Sequence, residues 1–212
     1  MRTSRSTLFT LLLPILFVAC GVGGDAASGE AIDSAPVVTS EVPELATGEL
    51  LGIDRANLTA FTPWRAGIVT STASDIAPTA QQIGVDAMTA DGFDRIVLSF
   101  RDSAPAPGYR IGAAGSDPQM LCGEETSFEE SGVLLRLTPA SLQDAEGASV
   151  VEAREIDLGL PVTSGARLVC DGDGEVVWFV ATVPEAVQVR VLNLLEPNRI
   201  AVDIRPGDTG PE

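Results

Sequence analysis

The chain has 212 residues and a formal charge of -17, from 30 acidic and 13 basic residues, all 13 of them arginine. With neither lysine nor histidine present, an imidazole base, a Ser-His-Asp triad and a Schiff-base or phosphate-clamping lysine are all excluded. Nucleic acid is an equally poor partner, since neutralising phosphates takes a basic surface.

In chain order, the first element is a processing signal over residues 1–19. Arg2 and Arg5 precede an apolar run from Leu8 to Val18, and Ala19 stands before Cys20. A positive start, a short apolar run and a small residue describe a secretory signal. The run is too short to cross a bilayer as a helix, which needs about 20 apolar residues. The segment Leu16-Phe17-Val18-Ala19-Cys20 resembles the bacterial lipoprotein signal, with Phe17 where that pattern prefers Leu. The resemblance implies that Cys20 is lipidated and becomes the mature N-terminus. The expected location is the cell envelope, lipid-anchored on the periplasmic or extracellular side of a bacterial membrane.

Residues 20–61 read as a flexible acidic tether. From Gly21 to Ala60 the chain is rich in Ala, Gly, Ser, Thr, Pro and acids, with no aromatic residue. Such a segment buries too little apolar surface to offset its chain entropy. A linker of about 40 residues has a reach on the order of 35 Å.

Residues 62–206 are expected to form one all-β domain, a small antiparallel sandwich or partly open barrel, with 207–212 as a tail. Period two is clear in Arg95–Arg101, where Ile96, Leu98 and Phe100 alternate with Val97, Ser99 and Arg101. The same alternation recurs at Val133, Leu135 and Leu137, and at Ile200, Val202 and Ile204. Glu175 to Val183 is almost continuously apolar, as in a strand buried on both faces. Asp91-Gly92, Pro107-Gly108, Asp171 to Gly174 and Glu196-Pro197-Asn198 are turn signals between these runs. Pro139 to Ala145 is the one place where a short helix is expected. Cys122 and Cys170 make an even pair in an exported chain, which predicts a disulfide. Closing a loop of roughly 50 residues would contribute about 4 kcal/mol in the chain-entropy account.

The sequence holds little that performs chemistry. Asp171-Gly-Asp-Gly-Glu175 lacks the distal Glu of a calcium loop and reads as a hairpin turn. Asp208-Thr209-Gly210 matches the short signature of aspartic proteases, but it occurs once, two residues from the end of the sequence, and reads as a chance match. Glu124-Glu125 and Glu129-Glu130 carry the carboxylates that glycoside hydrolysis needs, but they lie in a loop-like stretch of an acidic protein. Two cysteines without histidine make at most half a zinc site. No catalytic residue, metal or cofactor is expected.

Three segments carry a family resemblance. Gly92-Phe93-Asp94-Arg95-Ile96-Val97-Leu98-Ser99-Phe100, then Pro107-Gly108-Tyr109-Arg110-Ile111, resemble the opening of AMIN-like domains. Val189 to Arg205, with Pro197, Arg199 and Asp203 at the matching places, resembles their closing hairpin. The resemblance implies a small β-sandwich and a non-catalytic envelope module. Related AMIN domains target amidases and secretins to the cell wall by holding peptidoglycan. The implied partners are therefore peptidoglycan or an envelope protein, and the membrane through the lipid.

Two roles are open for the matched residues. Asp94, Arg95, Arg199 and Asp203 suit an ion-pair network. Alternatively Arg95, Tyr109 and Arg199 form a wall-facing patch, with Tyr109 stacking on sugar and arginine reaching peptide carboxylates. A second functional reading is a carrier or sensor lipoprotein with an apolar small ligand between the sheets. A filled core would favour the surface binder over the carrier.

Overall fold

The computed structural model describes residues 53–73, 78–101, 106–116 and 128–207. The expected signal segment, Cys20, most of the expected tether, Cys122 and residues 208–212 lie outside the described residues. Twelve strands follow one another: β1 (Leu58–Phe61), β2 (Val69–Ser71), β3 (Ala80–Ala90), β4 (Phe93–Phe100), β5 (Gly108–Ala113) and β6 (Gly132–Thr138). Then come β7 (Ala140–Ser141), β8 (Glu155–Asp157), β9 (Thr163–Gly172), β10 (Glu175–Thr182), β11 (Val187–Leu194) and β12 (Arg199–Pro206). They form two six-stranded sheets. Sheet one has the order β1-β11-β12-β4-β3-β7, and sheet two β2-β5-β6-β10-β9-β8. Every pairing is antiparallel except β3 with β7.

Alternation places the core. Ile96, Leu98 and Phe100 of β4 and Ile200, Val202 and Ile204 of β12 meet Leu135 and Leu137 of β6 and Trp178 of β10 between the sheets. Each such side chain contributes about 1.5–3 kcal/mol through burial. The opposite faces are not left to water. Leu192, Leu194, Val97 and Ala201 form a second buried cluster on sheet one. Leu134, Val177 and Phe179 form a third on sheet two. That is why β10 reads as a continuous apolar run.

Three polar clamps cross between the sheets. Trp178 Nε1 on sheet two donates to Gln82 Oε1 on sheet one at 3.1 Å, both residues buried. The buried Tyr109 phenol on β5 meets the polar side chains of Asn193 on β11 and Ser71 on neighbouring β2. The fully buried Asp94 carboxylate on β4 accepts from Val162 N (2.8 Å), Thr163 N (2.7 Å) and Thr163 Oγ1 (3.0 Å) at the start of β9. Trp178 Nε1 and the Asp94 carboxylate thus find partners on the opposite layer, which helps to fix the sheets' relative placement.

Two expectations are corrected. The tether was expected to run to Phe61, yet Leu58–Phe61 is strand β1, with Leu58 opposite Leu194 and Phe61 opposite Leu192. Ile53, Leu58 and Phe61 pack on the second cluster, so burial against β11 outweighs a poor local composition. The short helix over Pro139–Ala145 is absent. Ala140 N donates to Gly174 O, Ala80 N donates to Pro139 O, and Leu142 N donates to Asp171 Oδ1. Those bonds claim groups that a helix would use internally. Ser141 Oγ also accepts from Gln143 N, a local bond that competes with helix. The Asp171–Glu175 segment is a hairpin turn, with Asp173 (φ 52°) and Gly174 (φ 76°) both left-handed as a type I′ turn requires.

Candidate functional site

The structure does not assemble a surface patch from Arg95, Tyr109 and Arg199. Arg95 is fully buried on the outer face of sheet one. Its Nε and Nη2 donate to Asp203 Oδ1 and Oδ2 at 2.6 and 2.9 Å, a bidentate fork across neighbouring strands. Arg190, not anticipated, donates from Nε and Nη2 to the same Asp203 Oδ2 at 2.9 and 2.6 Å. The expected ion-pair network therefore exists with different members. Asp94 clamps the sheets, and Arg199 stands four residues from Asp203, about 13 Å along the strand. Tyr109 is 6% exposed within the main core. Burial pushes its phenol above the ordinary 10.0, against the pull of the Asn193 and Ser71 side chains. A ring held there cannot stack on a sugar.

A trough of about 490 Å³ opens instead on the outer face of sheet two. Register explains it. Asp157, Gly165, Ala181 and Gly132 stand opposite one another across β8, β9, β10 and β6, a row of mostly small side chains. The next row on that face is Glu155, Arg167, Phe179 and Leu134, which is large throughout. A small row beside a large one leaves a channel with a backbone floor. Gly132 is obligatory there, because a Cβ would lie 2.4 Å from the Phe179 ring.

The rim of this trough is polar. Glu155, Asp157 and Ser164 are exposed. Arg167 pairs with Glu130, the two side chains 43% and 48% exposed. Its guanidinium carbon lies 4.5 Å from the Phe179 ring centre and 5.4 Å from that of Phe128. Phe128 stacks on Phe179 with centroids 4.4 Å apart and planes 1° from parallel. Carboxylate oxygens, a serine hydroxyl and a fixed guanidinium thus converge on one concavity. That set can accept from and donate to a ligand rich in hydroxyls and amides.

Sheet one carries a second surface feature. Trp64, half-buried, lies with its ring centre 4.5 Å from the Arg190 guanidinium carbon and 4.4 Å from that of Arg205. Phe93 meets Trp64 edge-on at 5.8 Å. An aromatic–guanidinium surface is present here, but it is built from Trp64 and Arg205 and not from the residues expected. Asp203 and Arg205 lie on one strand face by period two, which gave a signal. Trp64, far away in sequence, gave none.

Cys170 lies half-buried on β9 opposite Val177, against the outer cluster of sheet two. Its expected partner, Cys122, lies outside the described residues. Among the described residues, no group of three or more His, Cys, Asp or Glu side chains could hold a metal ion. The family model for the AMIN-like domain matches residues 80–206. No curated protein and no solved structure matches the chain.

Proposed function

The chain belongs to the AMIN-like domain family, and from that premise we propose that it is a lipid-anchored module that binds peptidoglycan through the trough on sheet two. AMIN-like domains are bacterial cell-envelope modules and generally act as non-catalytic binding modules. The observation that carries the proposal is the convergence of Glu155, Asp157, Ser164 and the Arg167–Glu130 pair on one concavity of about 490 Å³. Glycan hydroxyls and acetamido groups need acceptors and donors in alternation, and this rim supplies both. The volume lies within the range of small-molecule sites. An acidic domain does not attract an anionic polymer from a distance, so contact is short-range and modest in affinity. An apolar carrier draws no comparable support, since the space between the sheets is filled by Trp178, Phe100 and their neighbours.

Lipidation at Cys20 would hold the domain at a membrane while the trough engages the wall. A pull-down of the full chain with purified sacculi tests the binding. Ala181→Leu, which fills the trough floor, is expected to reduce the bound fraction at least fivefold, and retention equal to the parent would overturn the trough as the site. Cys20→Ser is expected to move the protein out of the membrane fraction, because stable anchoring needs more than one acyl chain.

A further inference from the structure

The geometry points to a second binding site, on sheet one: the end-on fork of Arg205, seated on Trp64, takes a ligand carboxylate. The argument begins with what Arg205 faces. Its cross-strand partner on β11 is Gln188. Nε and Nη2 both donate to Gln188 Oε1, at 2.9 and 2.6 Å. In a chain with 30 acids and 13 arginines, a glutamate at that position would have made an ordinary ion pair. Here an amide fills it. Four other arginines do meet acids, with Arg136 on Glu175, Arg167 on Glu130, and Arg95 and Arg190 on Asp203.

The neutral partner does two things. It pins the guanidinium by one edge, and it leaves the group without an acidic partner among the described residues. Nη1 and the remaining hydrogen of Nη2 have no acceptor among the described residues, and together they form the fork that matches a carboxylate. The Trp64 ring, 4.4 Å away, fixes the plane of the group from another side. A side chain held at its edge and its face loses little freedom on binding, so more of the contact energy appears as affinity. Trp64 and Arg205 are both half-buried. They are accessible, yet not waving in solvent. The indole also gives the body of the ligand an apolar plane to lie on.

The trough and this fork lie on the outer faces of different sheets, so the two sites act independently. The trough suits hydroxyls and amides, and the fork suits an acid. A ligand acid can come from a peptide C-terminus or from a sugar acid, and the probes separate these sources.

Emission of the full chain is titrated with N-acetyl-alanyl-alanine, its C-terminal carboxamide, glucuronate and inorganic phosphate. The chain has two tryptophans. Trp178 is buried and bonded to Gln82, so a ligand-dependent change reports Trp64, and Trp64→Phe should abolish it. A saturable change with the peptide acid or with glucuronate, at least tenfold weaker with the carboxamide, is expected. The tighter of the two acids identifies the source. Two variants test the fork. Arg205→Gln should remove binding, and Gln188→Glu should suppress it at least tenfold by supplying an internal carboxylate of nearly the same shape. Equal response to acid and carboxamide, phosphate binding as tight as either acid, or unchanged affinity in Gln188→Glu would each overturn the assignment. Sacculi retention by the same two variants keeps the trough reading separate, because loss of the fork leaves the trough intact.

Discussion

Asp203 carries two buried arginines on one carboxylate, with Arg95 on both oxygens and Arg190 on Oδ2 alone. The three side chains stand side by side across β11, β12 and β4. Removing charge from a buried pair leaves the partner desolvated and uncompensated, which costs about 3–5 kcal/mol. Asp203→Asn should therefore lower the unfolding free energy measured by urea denaturation of the full chain by that order, and a loss below about 1 kcal/mol would mean that water reaches the cluster. Tyr109 gives a second residue-scale expectation. It is the one tyrosine in the chain, so ultraviolet titration reads it directly. Burial holds the phenol neutral above the ordinary 10.0. A raised folded value contributes stability that is intact below the unfolded pKa and lost as pH rises through the folded one. The folded chain should form phenolate at higher pH than the unfolded chain, and thermal stability should fall across that alkaline window. Ionisation at 10 with no loss of stability would contradict the buried placement.

At the scale of elements, β1 shows how a strand can hide inside a stretch that looks like linker. Leu58 and Phe61 are only partly buried, and their support comes from Leu192, Leu194 and Ala201 on strands far along the chain. Phe61→Ala should destabilise the domain by about 2 kcal/mol, below the 3–5 typical of a fully buried phenylalanine. A chain beginning at residue 62 should melt lower than one beginning at residue 53. Equal melting points would show β1 to be dispensable. The β9–β10 hairpin is the opposite case, since Asp173 and Gly174 announce their left-handed turn locally. The strands it joins then follow from alternation. β7 is again non-local, a two-residue strand stabilised by Gly174 and Pro139 carbonyls and by the Asp171 carboxylate.

For the whole molecule, the two sheets are joined by an apolar core and by the clamps Trp178–Gln82, Tyr109–Asn193 and Asp94–Thr163. A Cys122–Cys170 disulfide would add a covalent tie on the outer face of sheet two. Phe128, six residues after Cys122, already lies against Phe179 on the face where Cys170 stands. Mass measurement after alkylation without reductant should find neither of these thiols modified in the exported protein. Two alkylated thiols would end the idea. If the bond forms, its reduction should cost up to about 4 kcal/mol.

The sequence by itself determined strands β4, β6, β10 and β12, the turns beside them and the family. Alternation of apolar residues, Asp-Gly and Pro-Asn signals, and the Asp94-Arg95 and Arg199–Asp203 motifs are all local, and local patterns survive in a string of letters. It also indicated that guanidinium and aromatic groups would matter. Only the tertiary structure decided which of them face water. Period two assigns each residue to a face, but it does not say what covers that face. Asp203 and the Phe93 ring lie against Arg95 on the outer side of sheet one, and Tyr109 is buried in the main core. Trp64 is brought to Arg205 by packing across a long sequence separation. The trough arises from register among four strands, where Asp157, Gly165, Ala181 and Gly132 happen to align. Register is a relation between distant segments, set by the burial of whole faces, and no single segment carries it.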